Sequence, residues 1–188
     1  DGSLPGSGPI IHHPDVKRML MTMRANTEGC RAMALVAAAA FDAAHHHPDA
    51  EVREQSQAFY EFMVPLVKGY STEMSIEVAS LGVQVHGGMG FIEETGAAQY
   101  LRDARILTIY EGTTAIQAND LVGRKTARDG GRTAKAIAAQ VAVTEQALTA
   151  VEPQAQARQT VSVVDFTAEL DVRAAAQALD QSLVNLTD

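Results

Sequence analysis

Apolar residues return at three- and four-residue intervals along most of this chain, and nowhere do they alternate in the manner of a half-buried strand bounded by hairpin turns. That pattern restricts the fold to packed helices. Val16, Leu20, Met23, Cys30, Ala34 and Phe41 recur at helical spacing in a first helix. Pro14 suits its first turn and Asp15 its positive end. The run His45-His46-His47-Pro48 closes it. A second helix is predicted from near Asp49, with an interruption at Pro65, because proline lacks the amide donor and collides with the preceding turn. Leu66, Tyr70, Met74, Val78, Leu81 and Val85 continue one face beyond it, and Gly87, Gly88 and Gly90 are expected to terminate it. A short helix at about 95–104 carries Tyr100, Leu101 and Ala104. A loop through 105–112 follows. A further helix begins at Thr113 or Thr114, either of which suits an N-cap, and runs to about Arg128 before Gly130-Gly131 break it.

Composition shifts after that glycine pair, toward Ala, Gln, Val and Thr. Ala134, Ile137, Val141, Leu148 and Val151 form one apolar stripe, and Val172, Ala176, Leu179, Leu183 and Leu186 form another. Glu152-Pro153 is expected to separate them, and Ser162 with Asp165 resembles a capping box. The predicted organisation is all-α: a loop or linker over 1–9, a helical bundle over 10–130, and an additional helical hairpin over 131–188. The Gly-, Ser- and Pro-rich opening without a start methionine reads as the edge of a fragment of a longer protein.

Several function classes are disfavoured. A net charge of −8 leaves no basic excess to neutralise phosphates, which argues against nonspecific nucleic-acid binding. Cys30 is the only cysteine, so neither an intrachain disulfide nor a cysteine metal cluster can form. No apolar run is long enough to span a bilayer, so no integral membrane segment is expected. The adjacent His45, His46 and His47 cannot all face one ion, and no metal site is expected.

The segment that carries chemistry is Ile109-Tyr110-Glu111-Gly112-Thr113-Thr114. Glycine at 112 removes the side chain that would block a ligand from the Glu111 carboxylate. A ligand that excluded water there would raise the carboxyl pKa and strengthen the base, enough to take a weakly acidic C–H proton. An isolated Glu-Gly pair is more often a solvated loop acid or a cap. Upstream stand Gly82-Val83-Gln84-Val85-His86-Gly87-Gly88-Met89-Gly90-Phe91 and Tyr100-Leu101-Arg102-Asp103-Ala104-Arg105. The first is not a dinucleotide fingerprint, because no strand precedes it and its glycine spacing differs.

Order and spacing of these three segments resemble the C-terminal helical domain of the acyl-CoA dehydrogenase family, over about Ile10 to Arg124. The segment Ile116–Lys125 and the chain beyond it resemble the longer subfamily that includes 3-methylmercaptopropionyl-CoA dehydrogenases and related fatty acyl-CoA dehydrogenases. The resemblance implies an FAD enzyme that converts an acyl-CoA thioester to a trans-2-enoyl-CoA. Glu111 would abstract the α-proton, and the β-hydrogen would leave as hydride to flavin N5. The Glu111 backbone N–H would polarise the thioester carbonyl. Tyr110 and Gly112 would line the thioester site, and Arg124 would stand near the CoA end. Gln84, His86, Gly87 and Gly88 would meet the cofactor, whose adenosine-diphosphate part is bound mainly by a neighbouring subunit; His86 is expected to serve by packing or a polar contact. Thr113 would approach the flavin pyrophosphate. Gln117 would replace a cofactor contact where relatives have Gln and this chain has Ala115. Arg102, Asp103 and Arg105 would support the loop that carries the base. The implied partners are the acyl-CoA, electron-transferring flavoprotein and further copies of the chain, as a homodimer or homotetramer. The implied location is cytoplasmic, or the mitochondrial matrix in a eukaryote. An acyl-CoA oxidase would use the same base, and a noncatalytic flavin-binding relative would keep the fold as an interaction protein.

Overall fold

The computed structural model describes residues 8–157, and among them every regular element is helical. The chain divides into two compact units, Asp1–Leu121 and Val122–Asp188.

The first unit is organised by two long helices, α1 (Pro14–His46) and α2 (Ala50–Val85). Pro14 opens α1, as its fixed φ and missing amide allow. Asp49 caps α2 by accepting from the Glu51 amide at 2.8 Å. The short connector forces the helices to run antiparallel. Phe41 meets Tyr60 edge-on at 5.2 Å near the connector, and Met23 lies against Gly82 near the far end. Met19 and Ala37 of α1 and Phe62, Met63 and Pro65 of α2 are buried.

Pro65 does not interrupt α2, contrary to the sequence expectation: the helix runs through it. The missing amide removes one intrahelical bond and the ring crowds one turn, at about 3 kcal/mol. Phe62, Met63, Pro65 and Gly69 bury one face across that turn, and such packing is the larger source of helix stability in a folded protein.

The end of α2 also differs from expectation. Gly87 alone makes the turn, with φ +61°, while Gly88 and Gly90 belong to a one-turn helix, α3 (Gly88–Phe91). Gly90 is glycine for lack of room: a Cβ there would stand 2.3 Å from the Val83 carbonyl oxygen and 2.9 Å from His86 Cβ. A 3₁₀ turn, Glu93–Thr95, leads through left-handed Gly96 into α4 (Ala97–Leu107), which buries Ala97 and Ala104 and reaches further than the predicted 95–104. Next comes α5 (Thr114–Asn119), capped by Thr113 rather than Thr114, and it passes into a π-helical stretch, Asp120–Thr126. Helix α2 is the common scaffold, touching α1, α3, α4 and α5.

In the second unit, the 3₁₀ turn Ala127–Asp129 ends at Gly130 and Gly131, both with positive φ. Asp129 then caps α6 (Arg132–Ala157), its carboxylate accepting from the amides of Gly131 at 2.9 Å and Thr133 at 3.0 Å. Helix α6 continues through Glu152-Pro153, which were expected to divide two helices. Only one backbone bond is forfeited, and the Gln and Ala residues at 154–157 are strong helix formers. The second apolar stripe, the Ser162–Asp165 signal and hence the hairpin lie outside the described residues.

Candidate active site

The loop between α4 and α5 carries the Glu-Gly pair. Among the described residues Glu111 is the one non-glycine residue with positive φ, at +52°, and Gly112 follows at +92°. Two successive left-handed residues turn the chain sharply. A non-glycine residue there costs roughly 1–2 kcal/mol, because its Cβ crowds the following carbonyl. Such strain persists where surrounding structure over-determines the backbone, and it gathers at functional sites. The Glu111 side chain is exposed, and Gly112 is half-buried.

The restraints come from α2 and α4. Lys68 Nζ donates to the Leu107 carbonyl at 2.5 Å and to the Tyr110 carbonyl at 3.2 Å, and stands 5.3 Å from the Tyr110 ring centroid. The Thr114 hydroxyl donates to Glu73 Oε1 at 2.5 Å, and the Thr114 amide donates to the Thr108 carbonyl at 3.3 Å, closing the loop. Arg105 Nη1 donates to the buried Thr108 hydroxyl at 2.6 Å. The Thr113 hydroxyl accepts from the Ile116 amide at 3.3 Å as the N-cap of α5.

Of the residues expected to support the loop, Arg105 reaches it. Arg102 pairs with Glu93 at 3.2 Å and donates to Gln99 at 2.7 Å, while Asp103 accepts from Gln99 at 2.6 Å. Gln117 folds back toward the loop. Its Cβ would be 3.4 Å from a Cβ on Gly69, and its Nε2 would be 2.7 Å from a Cβ on Gly112. Gly112 therefore answers two demands, a left-handed φ and space for the Gln117 amide.

The structure gathers Tyr110, Glu111, Gly112, Thr113 and Gln117 around the middle of α2, and places Gln84, His86, Gly87 and Gly88 at its C-terminal end. From Lys68 to Gln84 the helix rises about 24 Å. At that end Gly87 and Gly88 are exposed, and a Cβ at either would meet nothing within 4 Å, leaving open backbone that a flat ligand can approach. His86 Nδ1 is 2.7 Å from the Gly82 carbonyl oxygen. Arg124 lies in the π-helical stretch, beyond the boundary of the first unit.

A groove of roughly 730 Å³ opens between α1, α2 and α4, walled by Met23, Cys30, Met74, Val78, Gly82 and Tyr100 among others. Burial, with Cys30 and Glu77 nearby, holds the Tyr70 phenol above its usual range. Among the described residues there is no cluster of histidine, cysteine and acidic side chains suited to a metal ion, and no helix is long and apolar enough to cross a membrane.

Lys68, Glu73 and Gly69 went unmarked in the sequence. Each meets its loop or α5 partner roughly forty to fifty positions later in the chain, so no local pattern flags it. The one available signal was a lysine among the apolar positions Leu66, Tyr70 and Met74.

Residues 5–126 match the family model described as acyl-CoA dehydrogenase, C-terminal domain. The chain is 64% identical over 145 residues to the 3-methylmercaptopropionyl-CoA dehydrogenase of Ruegeria pomeroyi, covering 77% of this chain and 24% of that protein. It is 44% identical over 126 residues to the broad-specificity linear acyl-CoA dehydrogenase FadE5 of Mycobacterium tuberculosis, covering 65% of this chain and 20% of that protein. The chain thus spans about a quarter or less of the length of these relatives. Among solved structures, one titled Bd2924 apo-form superposes with a TM-score of 0.61 at 23% identity, over 97% of this chain and 36% of that one, which shows a shared fold.

Proposed function

This chain belongs to the acyl-CoA dehydrogenase family, and on that premise we propose that it supplies the base-bearing helical domain of an FAD-dependent acyl-CoA dehydrogenase. The observation that carries the reading is the left-handed Glu111-Gly112 pair, held by contacts from α2 and α4 at the family's Tyr-Glu-Gly-Thr segment. Glu111 removes the α-proton of the thioester, and Gly112 leaves its carboxylate accessible. The Glu111 N–H donates to the thioester carbonyl oxygen, where charge develops as the proton leaves. FAD, when bound, would supply the two-electron oxidant that takes the β-hydrogen as hydride, giving a trans-2-enoyl-CoA.

The residues present fit that cofactor. The open Gly87-Gly88 backbone suits close approach by its adenosine-diphosphate part, and Thr113 offers a hydroxyl at a helix start. Thr113 stands beside the middle of α2, next to the Thr114 that meets Glu73, whereas Gly87-Gly88 lie just beyond the C-terminal end of that helix, which supports a cofactor contacted by more than one copy of the chain. Arg124 is assigned to the CoA end, Gln117 to the loop and cofactor side, and electron-transferring flavoprotein is the expected acceptor. The high identity to the Ruegeria protein favours a short thioether acyl group as the first substrate to try.

The test is Glu111→Gln in the complete enzyme, mixed anaerobically with acyl-CoAs of several lengths. Wild type should bleach its flavin with one class of substrate. The variant should retain yellow FAD and fail to bleach. Normal reduction in the variant would refute Glu111 as the base. Rapid hydrogen peroxide formation under air would favour an oxidase.

A further inference from the structure

We propose that Lys68 is a positioning residue for the reaction: by binding the Tyr110 carbonyl it aims and polarises the peptide whose opposite edge is the Glu111 N–H. The inference rests on the function proposed above, in which that N–H donates to the thioester oxygen.

Lys68 projects from the middle of α2 and spans 42 residues of sequence to reach the Tyr110 carbonyl at 3.2 Å. Its contact with the Leu107 carbonyl, at 2.5 Å, is an ordinary device: a cation neutralising the end of α4. The Tyr110 contact is different, because Tyr110 lies outside that helix and immediately before the base. The Tyr110–Glu111 peptide is trans, so its carbonyl oxygen and its N–H point in opposite directions from one rigid plane. Turning the oxygen to Lys68 turns the N–H to the far side, away from α2. An ammonium on the oxygen also draws electron density through the amide and makes its N–H a stronger donor. The same side chain sits over the Tyr110 ring at 5.3 Å, which limits rotation of the residue that carries the carbonyl.

The remaining restraints act elsewhere. Arg105 holds Thr108, and Glu73 holds Thr114, the two ends of the loop. Lys68 instead contacts the peptide next to the base.

The test uses the complete FAD-loaded enzyme as wild type, Lys68→Met and Lys68→Arg. The probe is a 3-thiaacyl-CoA of the length wild type oxidises, which can lose its α-proton but cannot be dehydrogenated; its bound anion is followed by long-wavelength absorbance with oxidised flavin. In Lys68→Met the pH of half-ionisation should rise by about one unit, and flavin reduction by the true substrate should slow about tenfold, with KM little changed. Lys68→Arg, which keeps the charge, should recover most of both. An unmoved titration in Lys68→Met overturns the proposal, even if stability or FAD retention falls. Should Lys68→Met not fold, Lys68→Gln replaces it under the same criteria, and Lys68→Arg must still titrate within about half a unit of wild type. If wild type neither ionises the analogue nor bleaches, the proposed function fails and this inference with it. If wild type does both and the variants match it, only the inference fails.

Discussion

Replacing Gly112 by alanine separates two constraints on the loop. At φ +92° an alanine lies outside the comfortable left-handed well, so the backbone term should take the upper part of the roughly 1–2 kcal/mol range. The added Cβ would also stand 2.7 Å from Gln117 Nε2. That amide ends a flexible side chain, yet its Cβ is seated on Gly69, so it must leave its rotamer to escape, at about 0.5–1.5 kcal/mol. Together these predict about 2–3 kcal/mol of destabilisation at the loop. Urea unfolding followed by helical circular dichroism should show a lower midpoint at unchanged slope. Flavin reduction in the complete enzyme should slow on the order of a hundredfold if Glu111 moves by about 1 Å. Adding Gln117→Ala should restore about 1 kcal/mol and leave the backbone share in place. Stability and reduction rate both matching wild type would refute the reasoning. Complete rescue by Gln117→Ala would show that the left-handed conformation is not a constraint.

Two further outcomes are expected. Gly90→Ala would drive a Cβ into the Val83 carbonyl at 2.3 Å, where backbone cannot yield as a side chain can, so unfolding measurements should show a loss of about 1–3 kcal/mol, and FAD retention should fall if 84–88 shifts with it. At Asp129, burial alone would raise the carboxyl pKa, but hydrogen bonds from Thr133 and Gly131 outweigh it and hold it below the usual value. Its contribution is therefore complete above the ordinary aspartate pKa and disappears as pH falls through the lowered one, so circular dichroism should show acid loss of helix that Asp129→Asn lacks.

The periodicity of Val16 to Phe41 and of Leu66 to Val85 announced α1 and the later part of α2, because a helix that buries one face must repeat at its own period. Proline and glycine were read too literally. Pro65 and Pro153 lie inside helices, and Gly90 serves a close contact with Val83 that no local rule foretells. The family was legible from the motifs at 82–91, 100–105 and 109–114, and the all-α setting from the periodicity. The restraint of the Glu111 loop was not. The left-handed φ at Glu111 and the reach of Lys68 and Glu73 from α2 are tertiary facts, set by which turn of one helix lies beneath a loop some forty residues away.

Helix α2 therefore acts as a gauge bar. Its middle carries the contacts that hold the Glu111 loop, and its end leads into the open Gly87-Gly88 backbone. One residue inserted between Glu73 and Gln84 would rotate one end against the other by about 100° and shift it by about 1.5 Å. The same insertion in the connector at 47–49 would leave the spacing untouched. Length and phase between those two turns, more than the identity of any side chain along them, are what this domain has to preserve.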